Sequence, residues 1–161
     1  MEQRCHLAMV WMTWLTLPLL AIVAGATSGL MAGVIVLAAG IVAQVLYVRW
    51  FPALSRWIGY GPVLDSPAGA SSAWTKPARV TLYTASVCPF CPIVRERLKA
   101  LQREHSLEVD EIDVTFRPEI VRSKGLRSVP VLEANGQFLV GNATSAQIAD
   151  FLGKAPEAAS G

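Results

Sequence analysis

The chain has 161 residues, of which 53% are hydrophobic and only 16% are charged. A soluble domain needs about 25% charged residues to cover its surface, so this composition excludes both a disordered chain and an ordinary soluble protein. The shortage of charge lies in the first 64 residues, which carry only Glu2, Arg4, Arg49 and Arg56, whereas the other 97 residues carry 11 basic and 11 acidic side chains. The net charge is +2 and the basic residues form no run, so no nucleic-acid partner is indicated.

Two apolar segments in the first third are each long enough to cross a bilayer. Residues 7–24 contain no charge, and the most polar member of residues 30–48 is Gln44. As helices, the two segments would extend about 27 to 29 Å, which is close to the hydrocarbon thickness of a membrane. The short link at residues 25–29 predicts a tight reversal. The sequence therefore predicts an antiparallel hairpin of two transmembrane helices in contact with membrane lipid.

The basic residues predict the orientation of this hairpin. Its two ends are flanked by Arg4, Arg49, Arg56, Lys76 and Arg79, whereas the loop contains no Lys or Arg. The positive-inside rule then places both ends, and the domain that follows, in the cytoplasm. A cleaved signal peptide is the alternative for the first segment, because Arg4 precedes an apolar stretch that ends in Ala24-Gly25-Ala26. With that alternative the second segment still leads into the cytoplasm.

The composition changes twice more along the chain. Residues 49–60 place Trp50, Leu54 and Trp57 at helical spacing, which predicts either a short interfacial helix or an aromatic belt that ends the second membrane helix. Residues 61–77 are rich in Gly, Pro, Ala and Ser and are predicted to be a flexible linker. Residues 155–161 are predicted to form a disordered tail.

The elements between residues 78 and 154 predict an α/β domain. Alternation predicts strands at residues 79–84 and 107–114, and Pro118 with Gly125 marks the ends of a short helix. Asn135-Gly136 between two apolar runs is a hairpin signal. With the helix after Cys88 and a last helix that contains Ile148, the order is β-α-β-α-β-β-α. This order predicts a mixed four-stranded sheet.

Two polar clusters of this domain are given structural roles. The basic residues of the first domain helix are predicted to form a solvated face; they are Arg95, Arg97, Lys99 and Arg103. Asn142, Thr144 and Ser145 are predicted to cap the last helix.

The pair Cys88 and Cys91, in Cys-Pro-Phe-Cys, carries the chemistry. Cys88 lies where the first strand ends and the helix begins, so unpaired backbone N–H groups and the helix dipole are expected to lower its pKa. Cys91 follows one helical turn later and could resolve a mixed disulfide formed at Cys88. Pro89 fixes the backbone between them without the loss of a helical hydrogen bond.

Two alternatives for the cysteine pair are ordinary buried cysteines and half of a zinc site. Zinc would need two more ligands, and the rest of the chain offers only Cys5, His6 and His105, so no metal site is predicted. Cys5 is expected to be a passive thiol near the membrane surface.

The residues from Thr84 to Leu98 with Cys-Pro-Phe-Cys, together with Ser128-Val129-Pro130 and the Asn135-Gly136 hairpin, resemble the thioredoxin superfamily and, within it, glutaredoxins and glutaredoxin-like oxidoreductases. The resemblance covers residues 78–154 and implies a thioredoxin-like fold. It implies that Cys88 attacks the substrate disulfide, that Cys91 resolves it and that Pro130 is a cis-proline. Val129, before the proline, would pair with the substrate backbone, and Pro89 and Phe90 would complete the substrate-binding surface.

The resemblance predicts a membrane-anchored thiol–disulfide oxidoreductase that reduces protein disulfides at the cytoplasmic face, because the cytosol keeps thiols reduced. No cofactor beyond the dithiol is predicted. Glutathione or a thioredoxin-reductase-type donor would supply the electrons, although Gly141 to Ser145 lacks the Gly-Gly and acidic residue that glutaredoxins use to hold glutathione. The alternatives are a non-catalytic binding module, an iron–sulfur carrier and, with inverted topology, an exported oxidant.

Overall fold

The computed structural model describes residues 5–58 and 78–154. The predicted linker at residues 61–77 and the predicted tail at residues 155–161 lie outside the described residues. In chain order, the elements are β1 (Cys5–His6), α1 (Leu7–Ser28), α2 (Leu30–Ile58), β2 (Ala78–Thr84), α3 (Cys91–Glu104), β3 (Leu107–Asp113), α4 (Pro118–Ser123), β4 (Ser128–Val129), β5 (Val131–Ala134), β6 (Gln137–Val140) and α5 (Ser145–Lys154).

Helices α1 and α2 form an antiparallel pair, which we call the hairpin. Each is long and apolar enough to cross a membrane, over Leu7–Ser28 and Leu30–Phe51 respectively. Gly29 separates them with a φ of 95°, a value that L side chains rarely adopt. The predicted five-residue loop was therefore too long, because α1 continues to Ser28.

The backbone of residues 49–58 contradicts the prediction of a separate interfacial helix and agrees with the alternative, in which these residues end the second helix. These residues continue α2 without a break as far as Ile58, and the helix includes Pro52.

Residues 78–154 form the α/β domain. Its sheet has the strand order β3-β2-β5-β6, in which β2 pairs in parallel with β3 and antiparallel with β5, and β5 pairs antiparallel with β6. The predicted mixed four-stranded thioredoxin-like sheet is confirmed. Asn135 and Gly136 have positive φ angles of 50° and 76°, as the predicted tight turn between β5 and β6 requires.

The domain buries one apolar cluster between the sheet and helices α3 and α5. Side chains of β2 such as Val80 and Leu82 alternate inward and meet the helical stripe that contains Leu98, while Ile148 contributes from α5. All four of these side chains are at most 1% exposed.

A second apolar cluster lies beside the cysteine pair and includes residues of the hairpin. Leu7 and Val10 of α1 are 3% and 1% exposed, and they pack with side chains of the domain that include Tyr83, Val114 and Val131. The first turns of α1 are therefore part of the core of the α/β domain.

Candidate active site

Cys88 and Cys91 lie side by side at the junction between β2 and α3. Cys88 follows a turn in which its backbone N–H donates to the carbonyl oxygen of Ala85 at 3.1 Å, and Cys91 is the first residue of α3. Both side chains are buried, at 0% and 2% exposure, and they belong to the same apolar cluster. Both cysteines are free thiols.

A small polar network holds the turn that precedes Cys88. The Thr115 hydroxyl accepts a hydrogen bond from the Ser86 N–H at 2.8 Å and donates one to the Asp113 carboxylate at 2.5 Å. The Ser86 hydroxyl also donates to Asp113, at 2.9 Å. Burial raises the pKa of the Asp113 carboxyl, but the hydrogen bonds from Thr115 and Ser86 lower it by more, so Asp113 stays ionised as an acceptor.

Pro130 is buried next to Val129, and the Val129–Pro130 peptide bond is cis, as predicted. The Cys88 thiol donates a weak hydrogen bond to the Val129 carbonyl oxygen at a distance of 3.7 Å. The Gly141 N–H donates to the carbonyl oxygen of Pro130 at 2.8 Å and ties the loop to the end of β6. The structure therefore brings together the predicted residues Cys88, Cys91, Val129 and Pro130.

The other two predicted site residues lie between the cysteines. Pro89 is buried, and Phe90 is partly buried against the apolar cluster beside the cysteine pair. The Phe90 ring meets that of Phe51 edge to face, with 5.4 Å between centroids. In the described state, a residue of α2 therefore covers Phe90.

The start of the chain lies across this site. Strand β1 pairs antiparallel with β4, so that Cys5 is opposite Val129 and His6 is opposite Ser128. The Leu7 N–H continues the pairing with a hydrogen bond of 3.2 Å to the carbonyl oxygen of Arg127. The backbone of Val129, which the resemblance assigns to substrate pairing, is thus already paired with the chain's own N-terminal segment.

The hairpin makes two further contacts with the rim of the site. The indole N–H of Trp11 donates to the carbonyl oxygen of Thr115 at 3.0 Å. The rings of Trp14 and Phe116 are 5.1 Å apart between centroids in an edge-to-face arrangement. These contacts attach α1 to the same segment that positions Ser86.

The prediction of a lowered pKa for Cys88 is wrong for this state. Hydrogen bonding from the Cys5 thiol lowers the pKa of Cys88, but the contact with Cys91 and burial raise it by more, and the resulting pKa lies well above the ordinary thiol value. Helix α3 begins at Cys91, so Cys88 lies three residues ahead of the helix, and the dipole acts only near the first turn.

Sequence reasoning missed several residues of the site. Ser86, Asp113 and Thr115 are ordinary turn and strand-end residues in the sequence, and their spacing gives no signal of a shared network. Cys5 was expected to be a passive thiol, yet it pairs with Val129 and packs against the cluster that contains Cys88. No sequence signal joins two residues so far apart in the chain.

Metal binding by these thiols would need further ligands nearby. Within residues 5–58 and 78–154, no group of three or more His, Cys, Asp or Glu side chains has the arrangement of a metal site.

A dithiol at a strand-to-helix turn, opposite a cis-proline on a mixed four-stranded sheet, defines a domain of the thioredoxin superfamily. Residues 79–153 match the family model of the Glutaredoxin-like domain (DUF836), so this part of the chain is similar to that family. The hairpin lies outside the match.

Two solved structures that are similar to this chain each have 20% sequence identity to it. A mutant thioredoxin from Halobacterium salinarum aligns over 58% of this chain and 88% of its own length with a TM-score of 0.44. The NTD_N/C domain of alkylhydroperoxide reductase AhpF from Enterococcus faecalis aligns over 68% of this chain with a TM-score of 0.48, and the chain covers 52% of that structure. No curated protein sequence matches the chain significantly.

Proposed function

We propose that this chain is a membrane-anchored thiol–disulfide oxidoreductase that uses Cys88 and Cys91 to reduce protein disulfides at the cytoplasmic face of a membrane. The observation that carries the proposal is the burial of both thiols in one cluster with Val129, whose carbonyl oxygen is 3.7 Å from the Cys88 sulfur. At this position, a substrate strand can pair with Val129 and bring its disulfide to Cys88.

The reaction needs two exchange steps. The Cys88 thiolate attacks one sulfur of the substrate disulfide, which forms a mixed disulfide and releases the other substrate sulfur as a thiolate. Cys91 then loses its proton and attacks the Cys88 sulfur, which releases the second substrate thiol. The substrate gains two electrons and two protons, and the chain is left with a Cys88–Cys91 disulfide. A donor of the glutathione or thioredoxin-reductase class would reduce it again.

The raised pKa of Cys88 makes the described state a resting state. At neutral pH the buried Cys88 remains a thiol, and the thiolate is the nucleophile in exchange. Removal of β1 from the Val129 backbone would admit both water and a substrate strand. Water would then reduce the burial that raises the pKa, so substrate entry and activation of Cys88 would occur together.

The proposed membrane anchor is supported by the surfaces of α1 and α2. Large apolar side chains such as Leu15, Leu30 and Ile35 are 69%, 82% and 63% exposed, which is costly in water and favourable in lipid. The α/β domain contacts the first turns of α1 and Phe51 of α2, so it lies beside both ends of the hairpin and away from the Gly29 loop.

The mechanism is tested with the full chain in detergent and a peptide that contains one disulfide. We expect Cys88→Ser to lose all reductase activity. The double variant Cys5→Ser, Cys91→Ser, in which Cys88 is the one remaining cysteine, should accumulate mixed disulfides with the peptide. Lys99→Gln, on the exposed face of α3, is the matched control and should keep full activity. Disulfide reduction by Cys88→Ser would refute the proposed function.

The topology is tested separately in sealed, right-side-out cells. Protease should leave the α/β domain intact until the cells are permeabilised, and then cleave between residues 61 and 77. Cleavage without permeabilisation would place the domain outside and favour the role of an exported oxidant.

A further inference from the structure

The N-terminal segment occupies the place that the proposed function assigns to a substrate. Strand β1 adds to the edge at Val129 in antiparallel register, which is the geometry by which an extended peptide docks on a free strand. The residue of β1 that lies opposite Val129 is a cysteine, Cys5. A disulfide substrate would present its own reactive cysteine at the same register position.

Three thiols meet at this point. Cys5 packs against the buried cluster that contains Cys88 and Cys91. Cys5 is also paired with Val129, whose carbonyl oxygen lies 3.7 Å from the Cys88 sulfur. Cys5 is partly buried, Cys88 and Cys91 are fully buried, and all three are free thiols. Cys88 therefore lies close to two other thiols.

The register of β1 is fixed by residues that flank Cys5. The Leu7 N–H is bonded to Arg127, and Leu7 and Val10 are buried in the core beside the site. Successive residues of a strand point to opposite faces, so a slip by one residue would turn Cys5 away and bring in His6. In the described register, Cys5 packs against the cluster that contains Cys88, and His6 is exposed.

We propose that Cys5 is a third redox-active cysteine, which exchanges with the Cys88–Cys91 disulfide to form a Cys5–Cys88 disulfide within the same chain. This inference rests on the proposed function, which generates the Cys88–Cys91 disulfide. The N-terminal segment then acts as a built-in substrate that closes the site after each reduction of an external disulfide.

The exchange step conserves electrons. The Cys5 thiol loses its proton, and its sulfur attacks the Cys88 sulfur of the Cys88–Cys91 disulfide. The bond between Cys88 and Cys91 breaks, the bond between Cys5 and Cys88 forms, and Cys91 leaves as a thiolate that takes up the proton. The chain remains oxidised by two electrons, and the reductant of the proposed function supplies two electrons and two protons to the new disulfide.

The Cys91→Ser variant isolates this exchange, because Cys88 can then form a disulfide only with Cys5 or with an external thiol. The full-length variant in detergent is treated with oxidised glutathione, alkylated and weighed intact. We expect both remaining thiols to be lost without added glutathione mass. The internal disulfide should exceed the glutathione adduct by at least about tenfold, since a tethered thiol acts at an effective concentration in the millimolar range.

A matched control moves the thiol by one residue. The variant Cys5→Ser, His6→Cys, Cys91→Ser keeps two thiols in the chain but places the N-terminal one on the opposite face of β1. This variant should retain the glutathione adduct on Cys88. Equal internal disulfide in both variants would show that proximity alone drives the reaction, and it would overturn the role assigned to the β1 register.

The inference and the proposed function fail in different ways. A stable glutathione adduct on Cys88 with a free Cys5 would overturn the inference, even if the wild-type chain reduces peptide disulfides. Reductase activity in Cys88→Ser would instead overturn the proposed function. A non-reducing gel excludes disulfides between two chains, and any dimer band in place of the internal disulfide also counts against the inference.

Discussion

The hairpin and the α/β domain are built from similar apolar residues but bury them differently. In the domain, apolar side chains alternate along strands or form one stripe of a helix, and they close two clusters away from solvent. In the hairpin, large apolar side chains such as Leu15 and Leu30 point outward, and the helices meet through Gly25 and Gly33. The domain is thus organised by the exclusion of water, whereas the hairpin is organised by close backbone packing.

The contrast predicts that the same substitution lowers stability strongly in the domain and very little in the hairpin. Leu98→Ala in the domain core should lower the free energy of unfolding by about 2 to 5 kcal/mol, because it opens a cavity at a residue that is 1% exposed. Leu15→Ala in α1 is the matched control, at 69% exposure, and should change stability by less than about 0.5 kcal/mol. Thermal unfolding of the full chain in detergent measures both, and equal losses would contradict the comparison.

Packing between α1 and α2 predicts the next largest effect. A Cβ atom at Gly33 would lie 2.7 Å from the carbonyl oxygen of Ala21, which belongs to the backbone and cannot turn aside. Gly33→Leu should therefore separate the helices and cost up to about 3 kcal/mol. Ala39→Leu, on an exposed face of the same helix, should cost almost nothing. Helix separation can be measured from spin labels at the two helix ends, and unchanged distances in Gly33→Leu would contradict the close packing.

Val10 of α1 packs against the α/β domain, so its replacement tests the contact between the hairpin and the domain. Val10→Ala should lower the stability of the full chain by about 2 kcal/mol, since a side chain that is 1% exposed loses two methyl groups. It should also speed alkylation of Cys88 by iodoacetamide and shift the pH dependence of that reaction downward, because looser packing of α1 weakens the burial that raises the pKa of Cys88. Met9→Ala, at 67% exposure, is the control. Identical alkylation rates in both variants would show that the packing of α1 does not affect the reactivity of Cys88.

The smallest effect is electrostatic and confined to the domain. Burial raises the pKa of Glu133, but hydrogen bonds from Lys124 at 2.7 Å and from the Tyr83 hydroxyl at 2.5 Å lower it by more. A lowered pKa in the folded state stabilises the fold above the unfolded value of about 4.3, and the contribution is lost as pH falls through the folded value.

Glu133→Gln should therefore cost about 1 kcal/mol at pH 7, and the difference from the wild-type chain should shrink as the pH falls below about 4. Chemical unfolding between pH 3 and pH 7 measures this dependence. Glu108→Gln is the control: it removes an exposed ion pair with Arg79 and should leave the midpoint of chemical unfolding unchanged. A difference at Glu133 that grows toward low pH would refute the sign of the shift.

Local chemistry explains what the sequence could predict. The Asn135-Gly136 turn, the helix that begins at Pro118 and the dithiol at the end of β2 depend on neighbouring residues only. The capping prediction for Thr144 is also confirmed, because its hydroxyl accepts a hydrogen bond from the Gln147 N–H at 3.2 Å.

Long-range packing explains what the sequence could not predict. Arg97 was predicted to be solvated but is 3% exposed, and its guanidinium donates to the Asn142 side chain at 2.7 Å and to the Ala143 carbonyl oxygen at 2.8 Å. It lies three residues after Val94, on the buried stripe of α3, so its position favoured burial although its charge did not. The raised pKa of Cys88 and the pairing of β1 depend on contacts between distant parts of the chain, which no local pattern encodes.

The short distance between Cys5 and the start of α1 determines how far from the membrane the redox centre would lie. Only His6 separates Cys5 from α1, but Leu7 and Val10 pack in the domain core, so in a hairpin that spans a bilayer the lipid-facing part of α1 would begin about 13 Å from Cys5. Polar headgroups occupy a layer of about 5 to 8 Å on each side of the hydrocarbon. Cys88, which lies in the cluster against which Cys5 packs, would therefore operate just outside the headgroup layer. Disulfides near the membrane-facing ends of other membrane proteins would be within its reach, whereas those on the far side of a bulky soluble protein would not.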